Sequence, residues 1–274
     1  MRNVVAWFCS MILLSCPVVA QENQHADLLL TPTRVVLSAK DRFATINVKN
    51  SGGATGQYTL ELQDMAMDEQ GVIRPLAAGE TQEGSAKDLL RISPRSMTLK
   101  PGQIQNVRIL IRNANALKEG EYRSHLKVRI ANDNVDKALK AEEAPEGGIA
   151  VRENLALVIP VIVRQGKLEF ASEIQNPSLV GAGKQQQVAF TLTRSGNRSS
   201  MGDVSITYTP ASGKSLLVGT HPGIPVYFPN SKRQLTLPLN VPKGVALKGG
   251  KIDITYTAQK DEGGKELARA SFTP

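Results

Sequence analysis

The residues best suited to moving a proton or holding a metal near neutral pH are three histidines, and their spacing assembles nothing. His25 stands near the N-terminus and His125 in an alternating segment. His221 belongs to His221-Pro222-Gly223, a turn with no second histidine at ligand spacing and no neighbouring carboxylate motif. Ser195-Gly196-Asn197-Arg198-Ser199-Ser200 is a polar loop without the G-x-S-x-G frame of a nucleophile elbow. Asp261-Glu262 precede Gly263-Gly264 and read as solubilising carboxylates of a surface turn. The sequence therefore offers no catalytic residue, no metal site and no cofactor, and the chain is read as a non-enzyme.

The two cysteines, Cys9 and Cys16, both fall in an apolar N-terminal segment. Val4 to Leu14 followed by Val18-Val19-Ala20 reads as a secretory signal over residues 1–20, with the mature chain starting at Gln21. That run is too short to span a bilayer, and no later segment is long enough, so an exported chain without a membrane span is expected. Cleavage after Ala20 removes both thiols and with them disulfides, zinc-thiolate sites and a cysteine nucleophile. Leu13-Leu14-Ser15-Cys16 is also similar to a lipoprotein box, although the bulky Leu14 fits it poorly; anchoring through Cys16 is the alternative.

Positioning any site in this chain falls to β-strands. The apolar residues alternate: Ala44, Ile46 and Val48; Tyr58, Leu60 and Leu62; Val107, Ile109 and Ile111; Leu126, Val128 and Ile130. The back half repeats the pattern with Val188, Phe190 and Leu192, then Val204, Ile206 and Tyr208, Leu235, Leu237 and Leu239, and Ile252, Ile254 and Tyr256. Such alternation suits strands with one face buried and one in water. Turns such as Ser51-Gly52-Gly53, Lys100-Pro101-Gly102 and Gly263-Gly264 punctuate the runs. At 274 residues, with only 4% aromatic and 21% charged residues, the chain is long enough for two β-sandwiches. The boundary falls near Arg164-Gln165-Gly166-Lys167, giving domains over 21–165 and 166–274. The net charge of +8 lies mostly in the second.

Two segments depart from the pattern. Ala131 to Gly148 is polar and acidic, long for a connection within a β domain. Leu155 to Val163 is apolar at every position, so it either buries both faces or holds one ready for a partner. Arg123, His125, Lys127 and Arg129 share one parity and read as a solvated basic stripe. No aromatic residues interleave with them for base stacking, so nucleic acid is not expected as a partner. Tyr122, after Gly120, suits a tyrosine corner whose hydroxyl returns to nearby backbone.

Five short motifs, in order, resemble the periplasmic pilus-assembly chaperones of the PapD-like superfamily, in a non-conventional branch. Leu30-Thr31-Pro32-Thr33-Arg34-Val35-Val36-Leu37 looks like that family's first strand and Ala44 to Ser51 like its second. Leu99-Lys100-Pro101-Gly102 with Val107-Arg108 is similar to the turn before the fifth. Gly120-Glu121-Tyr122-Arg123-Ser124 is similar to the entry of the sixth, and Ile159-Pro160-Val161-Ile162-Val163-Arg164 to the end of the seventh. The resemblance covers about Asp27 to Lys167 and implies two immunoglobulin-like sandwiches set at an angle, with a cleft between them.

It also implies a function. A pilus subunit lacks the last strand of its own sandwich, and the chaperone donates one before delivering the subunit to an outer-membrane usher in the periplasm. Donation needs alternating apolar side chains, for which this sequence offers Ile149, Val151, Leu155, Leu157 and Ile159, interrupted by Glu153. In that family a basic pair in the cleft holds the subunit's terminal carboxylate. Arg34 stands at the matching first-strand position, and a guanidinium fork suits both carboxylate oxygens. The second base, a lysine, should fall near Pro160, where this sequence has none; Arg164 or Lys167 substitutes, or Arg34 acts alone. The competing reading is a tandem immunoglobulin-like adhesion module of the cell envelope, which needs no donor strand.

Overall fold

The computed structural model describes residues 25–112, 117–131 and 156–274. The expected signal, Cys16 and the donor candidates Ile149, Val151 and Leu155 lie outside the described residues. Eleven strands build the first half: β1 (Leu29–Thr31), β2 (Val35–Ser38), β3 (Phe43–Lys49), β4 (Gly56–Gln63), β5 (Met65–Met67), β6 (Ile73–Pro75), β7 (Leu90–Ser93), β8 (Ser96–Leu99), β9 (Ile104–Ile111), β10 (Gly120–Ala131) and β11 (Ala156–Gln165). Seven follow: β12 (Phe170–Val180), β13 (Gln187–Gly196), β14 (Ser200–Thr209), β15 (Leu216–Val226), β16 (Lys232–Pro238), β17 (Lys251–Ala258) and β18 (Glu266–Phe272).

In the first half, one sheet has the order β1-β3-β9-β7 and faces a second ordered β2-β11-β10-β4-β8. This is the strand arrangement of an immunoglobulin-like sandwich, with the first strand divided between the sheets as β1 and β2. β1 pairs antiparallel with β3, and β2 pairs parallel with β11. The alternating residues read from the sequence meet between the sheets: Ile46, Val48, Tyr58, Leu60, Val107, Ile109, Leu126 and Val128 are all buried in one core. Each large apolar side chain taken from water there contributes roughly 1.5–3 kcal/mol. Asn50 is a polar residue inside that is fully satisfied. It is fully buried, donates to the carbonyls of Ala54 (2.7 Å) and Leu99 (3.0 Å), and accepts from the amides of Gly52 (3.0 Å) and Asp27 (3.2 Å).

The second half is another immunoglobulin-like sandwich, with sheets β12-β13-β16 and β15-β14-β17-β18. Its separate core holds Val188, Phe190, Leu192, Val204, Ile206, Tyr208, Ile252, Ile254 and Tyr256. The first core ends with Val163 and the second begins with Ile174. Between them Gly166 takes φ 79, a left-handed conformation that turns the chain from β11 toward β12. Among the described residues no helix is long and apolar enough to cross a membrane.

Candidate functional site

β10 and β11 organise the junction between the sandwiches, because their cross-strand pairs have two faces. Leu126 opposite Ile159 and Tyr122 opposite Val163 face the first core. On the other face Glu121 stands opposite Arg164, Arg123 opposite Ile162, and His125 opposite Pro160. The basic stripe read from the sequence as solvated is corrected here for two of its four members. Arg123 and His125 are each only 3% exposed, because the second sandwich covers them.

That cover is specific. Ile162 joins Met67, Met201 and Tyr227 in a small apolar cluster of its own. The Arg123 guanidinium lies over the Tyr227 ring at 4.4 Å and donates to the Met65 carbonyl at 3.2 Å. His125 meets the same ring edge-on at 6.3 Å, and its Nδ1 has no hydrogen-bond partner. Burial, reinforced by the charge of Arg123, pushes the His125 pKa down to about 3, so the ring is neutral. The β5–β6 hairpin leans on the second sandwich too. Asn230 donates to the Met67 carbonyl at 2.6 Å, and the Gln234 amide to Glu69 at 2.6 Å. Gly71 lies so close to the Arg233 guanidinium that a Cβ there would be 2.1 Å from it.

The charged part of the junction centres on Glu262, in the 3-10 turn Lys260–Glu262. The reading of Asp261-Glu262 as a solubilising pair fails for this residue, whose side chain is 10% exposed and pairs with Arg34, Arg164 and Arg198. Arg164 donates to it at 2.7 Å and, through Nε, to Glu121 at 3.0 Å. Glu121 in turn accepts from the Ser199 amide at 3.0 Å and from its hydroxyl. Burial alone would raise the Glu262 pKa. The charge and hydrogen bond of Arg164, with Arg198 and Arg34, outweigh it and hold the carboxyl below its ordinary value. For Arg164 burial works downward, and Glu121 and Glu262 more than offset it.

Arg34 immediately precedes β2 and reaches across to the second sandwich. Its Nη1 lies 2.8 Å from the Met201 sulfur and 3.5 Å from Glu262, and its Nη2 pairs with Asp261. The β2–β11 ladder begins at Val35 opposite Val161, so the residues of β11 before that point, Ala156 to Pro160, are paired on one edge by β10. Among the described residues no strand pairs with their other edge. Arg34 stands where that unpaired edge begins, and it shares with Pro160 and Tyr227 a cavity of about 300 Å³.

Of the expected donor residues, Leu157 is half-buried against the first core, and Ile159 is 4% exposed within it. Ile159 is therefore removed from the donor set: its side chain belongs to the chain's own core. Arg164 does enter the network with Arg34. Lys167 does not; its exposed side chain pairs with Glu169 at 2.8 Å. The Tyr122 hydroxyl donates to the Lys118 carbonyl at 3.2 Å, with its ring against the core. Glu121, Ser199, Tyr227 and Glu262 were missed as junction residues. Glu121 carried a signal, because it shares the parity of Arg123 and His125; the other three lie in connections between strands, with none. Among the described residues no group of histidine, cysteine and carboxylate side chains is placed to hold a metal ion.

No protein-family model matches the sequence, and no curated protein is significantly similar to it. Solved structures do match in shape. The CupB2 chaperone of Pseudomonas aeruginosa is 13% identical, covers 89% of this chain and 98% of its own, and gives a TM-score of 0.41. The CsuC–CsuE chaperone–tip subunit pre-assembly complex of archaic chaperone-usher Csu pili from Acinetobacter baumannii gives 12%, 89%, 99% and 0.46. The Escherichia coli chaperone DraB gives 15%, 91%, 98% and 0.41.

Proposed function

We propose that this chain is a periplasmic pilus-assembly chaperone, which caps a subunit by donating a strand and passes it to an outer-membrane usher. The observation that carries the reading is the half-paired β11 with Arg34 at the start of its open edge. β2 runs parallel to β11 and starts immediately after Arg34. A guest strand lying in the same lane, alongside Ala156 to Pro160, would end with its C-terminus at Arg34 if it too ran parallel. Its terminal carboxylate then meets the guanidinium fork, and its backbone pairs with the free edge.

The side-chain parity supports the same picture. Leu157 and Ile159 point into the chain's own core; in a complex, an extended segment upstream would carry Leu155, Val151 and Ile149 on the same parity. There they would fill the groove a subunit lacks a strand to close, each contributing roughly 1.5–3 kcal/mol once buried. Arg34 is the carboxylate anchor, with Arg164 behind it through Glu262. Export to the periplasm follows from the N-terminal segment.

Co-expression with a fimbrial subunit encoded beside this protein tests the reading. A soluble one-to-one complex is expected, lost with Leu155→Glu; a chain that purifies alone beside an aggregated subunit would overturn it and favour the adhesion module.

A further inference from the structure

The anchor arginine already holds a carboxylate from its own chain. Asp261 and Glu262 are neighbours in one turn, yet their surroundings differ. Glu262 is held by several arginines with its side chain 10% exposed; the Asp261 side chain is 66% exposed and pairs with Arg34, whose side chain is 11% exposed. Asp261 borders the cavity at the open edge of β11, together with Pro32, Pro160, Met201 and Tyr227. Its turn closes at Gly263 (φ 101) and Gly264 (φ 63), where an added Cβ would meet nothing within 4 Å. The turn thus projects from the sandwich into open space and has room to move.

We propose that Asp261 is a built-in stand-in for the terminal carboxylate of the ligand: it occupies Arg34 in the free protein and gives way when a chain end arrives. This rests on the reading of Arg34 as a carboxylate anchor. A guanidinium as buried as Arg34 is costly to leave without a counter-charge. An exposed aspartate supplies one at little stability, because water competes for its other side, so it is displaced cheaply. Glu262 stays with Arg164 and Arg198 and keeps the sandwiches docked during the exchange. With Asp261 displaced, Arg34 keeps only the longer contact to Glu262 at 3.5 Å, so a ligand that brings its own negative charge replaces Asp261 best. The device therefore lowers affinity for every ligand that must displace it by the fraction of time it occupies the site.

The test uses the full mature chain and two fluorescein-labelled peptides of nine alternating valines and threonines, one ending in a free carboxylate and one in an amide, followed by fluorescence anisotropy. The wild type should prefer the carboxylate about tenfold, and Arg34→Ala should erase the preference. Asp261→Asn and Asp261→Ser, both surface changes, should bind the carboxylate peptide about two- to fivefold tighter than wild type. A wild-type preference for carboxylate with no gain, or a loss, in both Asp261 variants overturns the stand-in and leaves the anchor intact. No preference in the wild type, or no binding by any form, overturns both.

Discussion

Glu121 and Arg164 face each other across β10 and β11, and their ion pair is turned outward into the second sandwich. One Glu121 oxygen accepts from Arg164, the other from Ser199, while Arg164 also reaches Glu262. The domain junction is thus built on one cross-strand pair of the first sandwich. Glu121→Ala leaves the Ser199 amide without its acceptor and Arg164 with one carboxylate fewer. A loss of about 1–3 kcal/mol in urea unfolding is expected, with faster tryptic cleavage at Lys167, beside the linking Gly166. Glu121→Gln, which keeps an acceptor, should lose less.

Truncating Arg34, the proposed anchor, should act mainly on the complex. Arg34→Ala removes a charge-assisted contact and strands the ligand carboxylate, costing about 2–5 kcal/mol of complex stability. Arg34→Lys should recover part of this, because an ammonium holds the charge without the fork. Subunit capture from periplasmic extract reads both; unchanged capture by Arg34→Ala counts against the anchor.

Two glutamate substitutions of one parity separate the core from the donor segment. Ile159→Glu puts a carboxylate into the first core and should cost more than about 4 kcal/mol, so the protein fails to fold. Leu155→Glu should leave thermal unfolding of the free protein nearly unchanged while abolishing subunit capture. A collapse in melting temperature for Leu155→Glu would return that residue to the core.

Acid should loosen the junction. The folded His125 pKa of about 3 lies below the ordinary 6.5, so the unfolded chain binds a proton that the folded one refuses. The stability this group permits is complete above pH 6.5 and is lost as pH falls toward 3, at up to about 1.4 kcal/mol per pH unit. Glu262, also lowered, adds loss in the same direction below its ordinary 4.5. His125→Gln should flatten the fall in unfolding free energy between pH 6.5 and 4.5; an unchanged slope would remove His125 as its source.

The central strands were legible because each buries one face and wets the other. Val188 to Leu192 and Ile252 to Tyr256 show this without interruption, and both lie in the interior of their sheets. β12, β15 and β18 were not legible: each is a sheet edge whose register shifts, at Gln175/Ser178, Gly202/Val204 and Tyr256/Thr257, break the period of two. The unbroken apolar run before Arg164 left two readings open, and its C-terminal part follows the first. Val161, Ile162 and Val163 bury both faces, while Val158 is exposed. The junction was misread for a physical reason: a basic parity on a strand signals water unless a second domain lies over it. Nothing in the local sequence records that Tyr227 comes to rest on Arg123.

The two faces of β10 have a consequence for assembly order. Leu126, Val128 and Ile130 enter the first core, while Arg123 and His125 present the surface on which Tyr227 seats. A slip of one residue would exchange these sets, driving a cation into hydrocarbon and offering leucine to a ring arranged for a guanidinium. The second sandwich can dock only on a first whose hairpin is already correctly threaded. Docking is in this sense an inspection step, and a mispaired β10 would reveal itself as a chain whose halves are each compact but swing independently about Gly166.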